Sequence, residues 1–122
     1  MKALDFTILY VASPANSAAF YQRILNVDAV EFSPTFAMFI LPSGGRLGLW
    51  LTSGVTPPVN AGASQSEIVF TAESRDEVDS LFSQWQAWGV EILDPPATLD
   101  FGYTFTACDP DGHRLRVYVY EE

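Results

Sequence analysis

Half of this chain repeats the other half. Phe6 corresponds to Glu67, Ser13 to Ser74, Phe20 to Leu81, Tyr21 to Phe82 and Ile24 to Trp85, each pair 61 residues apart in a chain of 122. Each half reads as strand, helix, then three strands, and a repeat of that kind limits the chain to two copies of one small unit. In the first copy residues 3–11 read as a strand. Ser13-Pro14 then opens a helix, with serine as the N-cap and proline at the first helical position. Ala18, Phe20, Tyr21, Ile24 and Leu25 form its apolar stripe. Strands follow over 29–32, 36–41 and 46–51, separated by Ser33-Pro34 and by Pro42-Ser43-Gly44-Gly45.

Residues 53–66 are small, proline-containing and uncharged, the composition of a linker. A strand over 67–72 begins the second copy. Ser74-Arg75-Asp76-Glu77 is a capping-box pattern. The helix behind it places Val78, Leu81, Phe82, Trp85 and Trp88 on one face, the strongest periodic signal in the chain, and Gly89 stops it. A strand over 90–93 leads through Pro95-Pro96 to an aromatic hairpin over 101–120. The fold class expected is α+β: two tandem βαβββ modules forming a curved, cup-like mixed sheet with helices on the outer face. Module one is 1–52, the linker 53–66 and module two 67–122, together a single domain.

Charge and composition exclude several partners. The net charge is −9 with only six Lys and Arg, whereas nucleic-acid binding needs a basic face. The same charge disfavours an anionic membrane, and no apolar run approaches spanning length. A soluble cytoplasmic protein with no nucleic-acid or membrane partner is expected. Cys108 is the single cysteine and is read as a small core residue. His113 is the single histidine, so a multi-histidine metal site or a histidine-based triad would have to use it; beside the turn and without companions, it is read as a turn residue.

Candidate binding residues come from strand alternation. Asp109-Pro110-Asp111-Gly112 is the hairpin turn. If Cys108 pairs with His113, one face of the hairpin carries Phe101, Tyr103, Phe105, Arg114, Arg116, Tyr118 and Tyr120. Arginines among aromatic rings describe a site better than a core. On the strand over 46–51, Leu47, Leu49 and Leu51 suit a helix-covered side. Gly48 and Trp50 then face the concave side, where glycine leaves room for a flat ring.

Three segments carry a resemblance over nearly the whole chain: FTILYVASPANSAAFYQRIL, LGLW at 47–50, and FGYTFTACDPDGHRLRVYV. With them the chain resembles the vicinal-oxygen-chelate superfamily of glyoxalase I, bleomycin-resistance proteins and extradiol dioxygenases. Within it, the chain looks like a group that includes phenazine-antibiotic resistance proteins. The resemblance implies the cup, and it implies a homodimer whose cups form within a chain or by swapping modules. It also places the enzymes' divalent-metal ligands at Phe6, Gly48, Glu67 and Arg116. Only Glu67 could coordinate there, because Phe6 and Gly48 offer no donor and Arg116 is a permanent cation. No cofactor is therefore expected. The resemblance then implies a binding protein that sequesters a planar, anionic aromatic molecule, an antibiotic of phenazine or bleomycin type. Rings would stack on Trp50, Phe6, Tyr103 and Phe105. Arg116, with Arg114 nearby and Tyr118 beside it, would meet the ligand's acid, while Glu67 pairs with Arg116 across the cup at rest. Two readings stand against it. One is a metal-dependent lyase, isomerase or dioxygenase, with a metal-free enzyme using Glu67 as base as its variant. The other is a domain whose cup is filled by its own loops.

Overall fold

Both repeats fold in the expected order, and the fold class is α+β. The computed structural model describes residues 5–56, 58–59 and 67–121, in two compact units, Met1–Gly62 and Ala63–Glu122. The first contains β1 (Phe6–Val11), α1 (Pro14–Leu25), β2 (Glu31–Phe32), β3 (Phe36–Ile40) and β4 (Arg46–Leu51), then a 3-10 turn over Thr52–Gly54. The second contains β5 (Glu67–Thr71), α2 (Arg75–Ala87), β6 (Glu91–Leu99), β7 (Gly102–Cys108) and β8 (Arg114–Tyr120). Each sheet places its first strand beside its last, in the orders β1-β4-β3-β2 and β5-β8-β7-β6. That one pairing is parallel and the others are antiparallel. Residues 3–4 of the expected first strand, and residues 57 and 60–66 of the expected linker, lie outside the described residues.

The caps act as the sequence suggests. Ser13 Oγ accepts from the Asn16 amide at 3.2 Å, and α1 ends at Asn26 in the left-handed region (φ 56°). Ser74 Oγ accepts from the Glu77 amide at 3.1 Å. The Glu77 carboxylate reaches one residue past the cap and accepts from the Glu73 amide at 2.9 Å. The Glu77 amide, a donor that the helix leaves orphaned, and the amide just before the cap are thereby satisfied.

Each helix covers one face of its own sheet. Under α1 lie Leu9, Val11, Ala37, Phe39, Leu47 and Leu49, all buried, and Tyr21 of the helix is buried against them. Under α2, Trp85 meets Phe70 and Phe105 edge-on, with ring centroids 5.8 and 5.3 Å apart, and Phe82 meets Phe105 at 5.5 Å. Edge-to-face packing suits the ring quadrupole and adds about 0.5–1.5 kcal/mol per pair to the burial.

The hairpin register differs from the expected one by a single residue. Cys108 pairs with Arg114, Phe105 with Val117, and Tyr103 with Val119. The cause is the turn. Asp109 and His113 still pair through their backbones, the Asp109 amide donating to the His113 carbonyl at 2.9 Å, so the loop shrinks to Pro110-Asp111-Gly112. Asp109 Oδ1 accepts from the Asp111 and His113 amides, both at 2.9 Å, and Gly112 takes φ 85°. A three-residue loop closed by a left-handed glycine is a standard hairpin connection. A shift of one residue moves the whole strand set to the other face, which takes Tyr103 and Phe105 to the helix side.

The strand expected over 90–93 also runs further, to Leu99, through Pro95 and Pro96. As β6 is the outermost strand of its sheet, missing donors face no neighbour, and register shifts between Ile92 and Asp94 and between Asp94 and Ala97 absorb the prolines. Gly102 starts β7 at φ 146°, where a Cβ would overlap the Val119 carbonyl oxygen. Only glycine fits that approach.

Trp85 is 2% exposed, and its Nε1 is buried without an acceptor among the described residues. Trp85→Ala is expected to cost about 3–5 kcal/mol of stability. Trp85→Phe should cost much less in the same denaturant titration, because it keeps the ring contacts and removes the orphaned N–H. Equal losses for the two variants would contradict this packing.

Candidate functional site

Removing one sheet face to the helix leaves the other uncovered within each unit. The uncovered face of module two is built on β5 and β8. Alternation puts Leu115 and Val117 under α2 and leaves Arg114, Arg116, Tyr118 and Tyr120 on the open side. Glu67 and Val69 join them from β5, and Phe101 from the bend before β7. Glu67, Val69, Phe101, Arg116, Tyr118 and Tyr120 line an open hollow of about 430 Å³.

Arg116 is held on three sides. Its Nε and Nη2 donate to the two carboxylate oxygens of Glu67, each at 3.2 Å. Its Nη1 donates to Thr104 Oγ1 at 3.2 Å. The Thr104 hydroxyl gives its own proton to the Val117 carbonyl at 2.8 Å, so only acceptor capacity remains toward the arginine. The Phe101 ring lies 5.4 Å from the guanidinium carbon and meets Tyr118 edge-on at 5.7 Å. Rings and a carboxylate together stabilise a cation that water reaches only partly, the Arg116 side chain being 19% exposed. The fork geometry is the one a carboxylate recognises best.

The pairing of Glu67 with Arg116 thus exists, but between neighbouring strands, since Val69 lies opposite Arg116 in the parallel register and Glu67 sits diagonally from it. The hydrogen bonds from Arg116 hold the Glu67 carboxyl below its ordinary value, against a smaller opposing effect of burial, and the charges of Arg116 and Arg114 add to the lowering. A carboxylate lowered in this way is a weaker base.

Module one presents the corresponding face with Arg46 opposite Phe6, where module two has Arg114 opposite Glu67. Gly48 lies opposite Ile8 as Arg116 lies opposite Val69, and Trp50 lies opposite Tyr10 as Tyr118 lies opposite Thr71. Gly48 and Trp50 therefore occupy the places that Arg116 and Tyr118 occupy in module two. Phe6, Ile8 and Tyr10 are 43%, 41% and 42% exposed there. Tyr10 meets Trp50 edge-on at 6.4 Å. The room expected beside Trp50 is already taken. Phe36 Cζ and Phe6 Cε1 stand 2.9 and 3.0 Å from where a Gly48 Cβ would be. Glycine here lets two of the chain's own rings rest on bare backbone.

Seven of the nine residues singled out from the sequence lie on open faces: Phe6, Gly48 and Trp50 in module one, Glu67, Arg114, Arg116 and Tyr118 in module two. Phe105 and Tyr103 do not. Phe105 is 1% exposed against Trp85 and Phe82. The Tyr103 hydroxyl donates to Asp79 of α2 at 2.7 Å, with Arg75 over its ring at 4.5 Å. Sequence reasoning passed over Val69 and Thr104. Counting by two from Glu67 finds Val69; Thr104 needs the true register. Cys108 is half-buried, and burial, with Glu91 nearby, pushes its thiol above the ordinary value, which suits no nucleophile. A second hollow, about 480 Å³ at the end of α1, is lined by Ala19, Gln22, Arg23, Asn26, Val27 and Asp28 and has no aromatic wall.

The chain matches the Glyoxalase/Bleomycin resistance protein/Dioxygenase superfamily over residues 3–117 and belongs to it. The phenazine antibiotic resistance protein EhpR of Enterobacter agglomerans is 33% identical to it over 116 residues, covering 93% of this chain and 88% of that protein. A protein of Agrobacterium tumefaciens, solved by NMR in solution, is 48% identical, with a TM-score of 0.91 and both chains covered in full. A glyoxalase/bleomycin resistance protein/dioxygenase from Nocardioides shares the fold at 22% identity, with a TM-score of 0.85 over 100% of this chain and 85% of that one.

Metal enzymes are among the superfamily's members, and the residues at the positions that the resemblance assigns to their metal ligands do not fit a divalent ion. Phe6 and Gly48 have no donor atom, and Glu67 already shares both oxygens with a guanidinium. Among the described residues no group of three or more His, Cys, Asp and Glu comes together to hold one. Elemental analysis of purified protein is expected to find zinc, iron, manganese and nickel well below one per chain. About one tightly held ion per chain would contradict that expectation.

Proposed function

We propose that this protein binds and sequesters a planar aromatic acid of phenazine type, without a metal and without making or breaking a bond. The observation that carries the reading is Arg116, a guanidinium fixed by Thr104 and Phe101 in a hollow walled by Phe101, Tyr118 and Tyr120. A fixed fork and flat apolar walls match the two parts of such a ligand, its carboxylate and its rings. Likeness to a phenazine antibiotic resistance protein supports the ligand class. In module one, Trp50 is the proposed stacking surface, flanked by Tyr10. The reading places the chain in a homodimer, the state that resemblance to the superfamily implies.

Arg116→Ala is expected to weaken binding of phenazine-1-carboxylic acid by about 1.5–3 kcal/mol, the worth of a hydrogen bond to a charged group. The neutral carboxamide should lose far less in the same fluorescence titration. Trp50→Ala should weaken both ligands alike and leave the melting temperature nearly unchanged. Equal losses of acid and amide at Arg116 would make that residue structural, and unaltered affinity at Trp50 would remove it from the site. Light scattering is expected to give the mass of two chains; a one-chain mass that stays constant across micromolar concentrations would contradict the dimer.

A further inference from the structure

The hollow of module two holds a cation and an anion side by side, and a ligand acid would use only the first. Resting on the reading of this hollow as an aromatic-acid site, we infer that Glu67 selects acids that also carry an O–H or N–H donor, placed meta to the carboxylate on the same ring system.

Unused hydrogen-bonding capacity in the pair points that way. A guanidinium has five N–H groups fanned out in one plane. Arg116 commits Nε–H and one N–H of Nη2 to Glu67, and one N–H of Nη1 to Thr104. Nη1 and Nη2 each keep one N–H with no acceptor among the described residues, and Arg116 lines the hollow. A ligand carboxylate can therefore join the guanidinium without expelling Glu67. Each Glu67 oxygen accepts a single bond from Arg116, which leaves lone pairs unused on a side chain 35% exposed and lining the same hollow.

Two carboxylates around one guanidinium repel each other, and Arg114, opposite Glu67 on the neighbouring strand, offsets that only in part. A donor on the ligand removes the conflict by bonding to Glu67 while the acid bonds to Arg116. The fan of N–H groups sets the two acceptor positions apart around the guanidinium, a spacing that meta substitution matches. An ortho hydroxyl is instead tied up by its own carboxylate. Glu67 then acts as a specificity-determining residue: it discourages acids without a donor and rewards those that have one.

The test compares 2-naphthoic acid, 4-hydroxy-2-naphthoic acid (donor meta to the acid) and 3-hydroxy-2-naphthoic acid (donor ortho), each titrated calorimetrically at pH 7 into wild type, Glu67→Gln and Glu67→Ala. Wild type should prefer the meta isomer over the plain acid by about tenfold, the scale of one hydrogen bond to a charged group. The ortho isomer should gain little. In both variants the plain acid should bind more tightly than to wild type, and the meta preference should collapse. Equal affinity of wild type for the plain and meta acids, with both weakened when titrated into Arg116→Ala as a control, would overturn the role of Glu67 and leave the acid site standing. The same meta preference in all three proteins would also overturn it. No binding of any of the three acids to wild type would overturn both the role and the reading beneath it.

Discussion

Asp109 decides which way the hairpin faces. Its carboxylate accepts two amides of the loop, from Asp111 and His113, and its buried position (5% exposed) shields those bonds from water. A loop of three residues results, and the loop sets the pairing of β7 with β8. Every side chain on β7 takes its face from that pairing. Phe105 goes under α2 to complete the cluster with Trp85 and Phe82, and Thr104 goes to the open side to hold Arg116. One more loop residue would exchange those assignments, removing the core ring and the arginine's acceptor together.

The two modules share a scaffold and divide the chemistry. Helix-facing positions are large and apolar in both, Leu47 and Leu49 in one and Leu115 and Val117 in the other. Open-face positions diverge. Where module two has Arg116, module one has Gly48 roofed by Phe6 and Phe36; where module two has Tyr118, module one has Trp50. A repeat keeps its core because packing penalises change by several kcal/mol per large side chain, whereas an open face is constrained only by what it binds. The Arg116–Glu67 ion pair accordingly belongs to one module's face, where the other has Gly48 and Phe6.

Much of this was legible in the residues, and what was not has physical causes. Helix α2 could be read from its capping residues and its stripe because both signals are local. The strand over Arg46–Leu51 was recognised to the residue, and with it the facing of Gly48 and Trp50. The hairpin was recognised but not its register, since a loop of three or four residues differs only in how Asp109 uses its carboxylate. The sequence ends β6 at residue 93, ahead of Pro95 and Pro96, because proline ends a central strand but not an edge strand, and edge position is a property of the sheet. Gly48 was read as open room because nothing in its neighbourhood says that rings from positions 6 and 36 converge on it. Arg116 and Glu67 were found as a pair, while Thr104, which fixes the arginine, follows only from the corrected register.

The central claim is that Arg116 receives the acid of an aromatic ligand. Its side-chain Nε–H is visible as its own signal in a ¹H–¹⁵N NMR spectrum, assignable by its loss in Arg116→Lys. Titration with phenazine-1-carboxylic acid should shift that signal in proportion to bound ligand, with a smaller shift at Arg114 and none at Arg75, which is held by Glu121 beyond the hollow. Saturable binding of the acid that leaves the Arg116 signal unmoved would contradict the account.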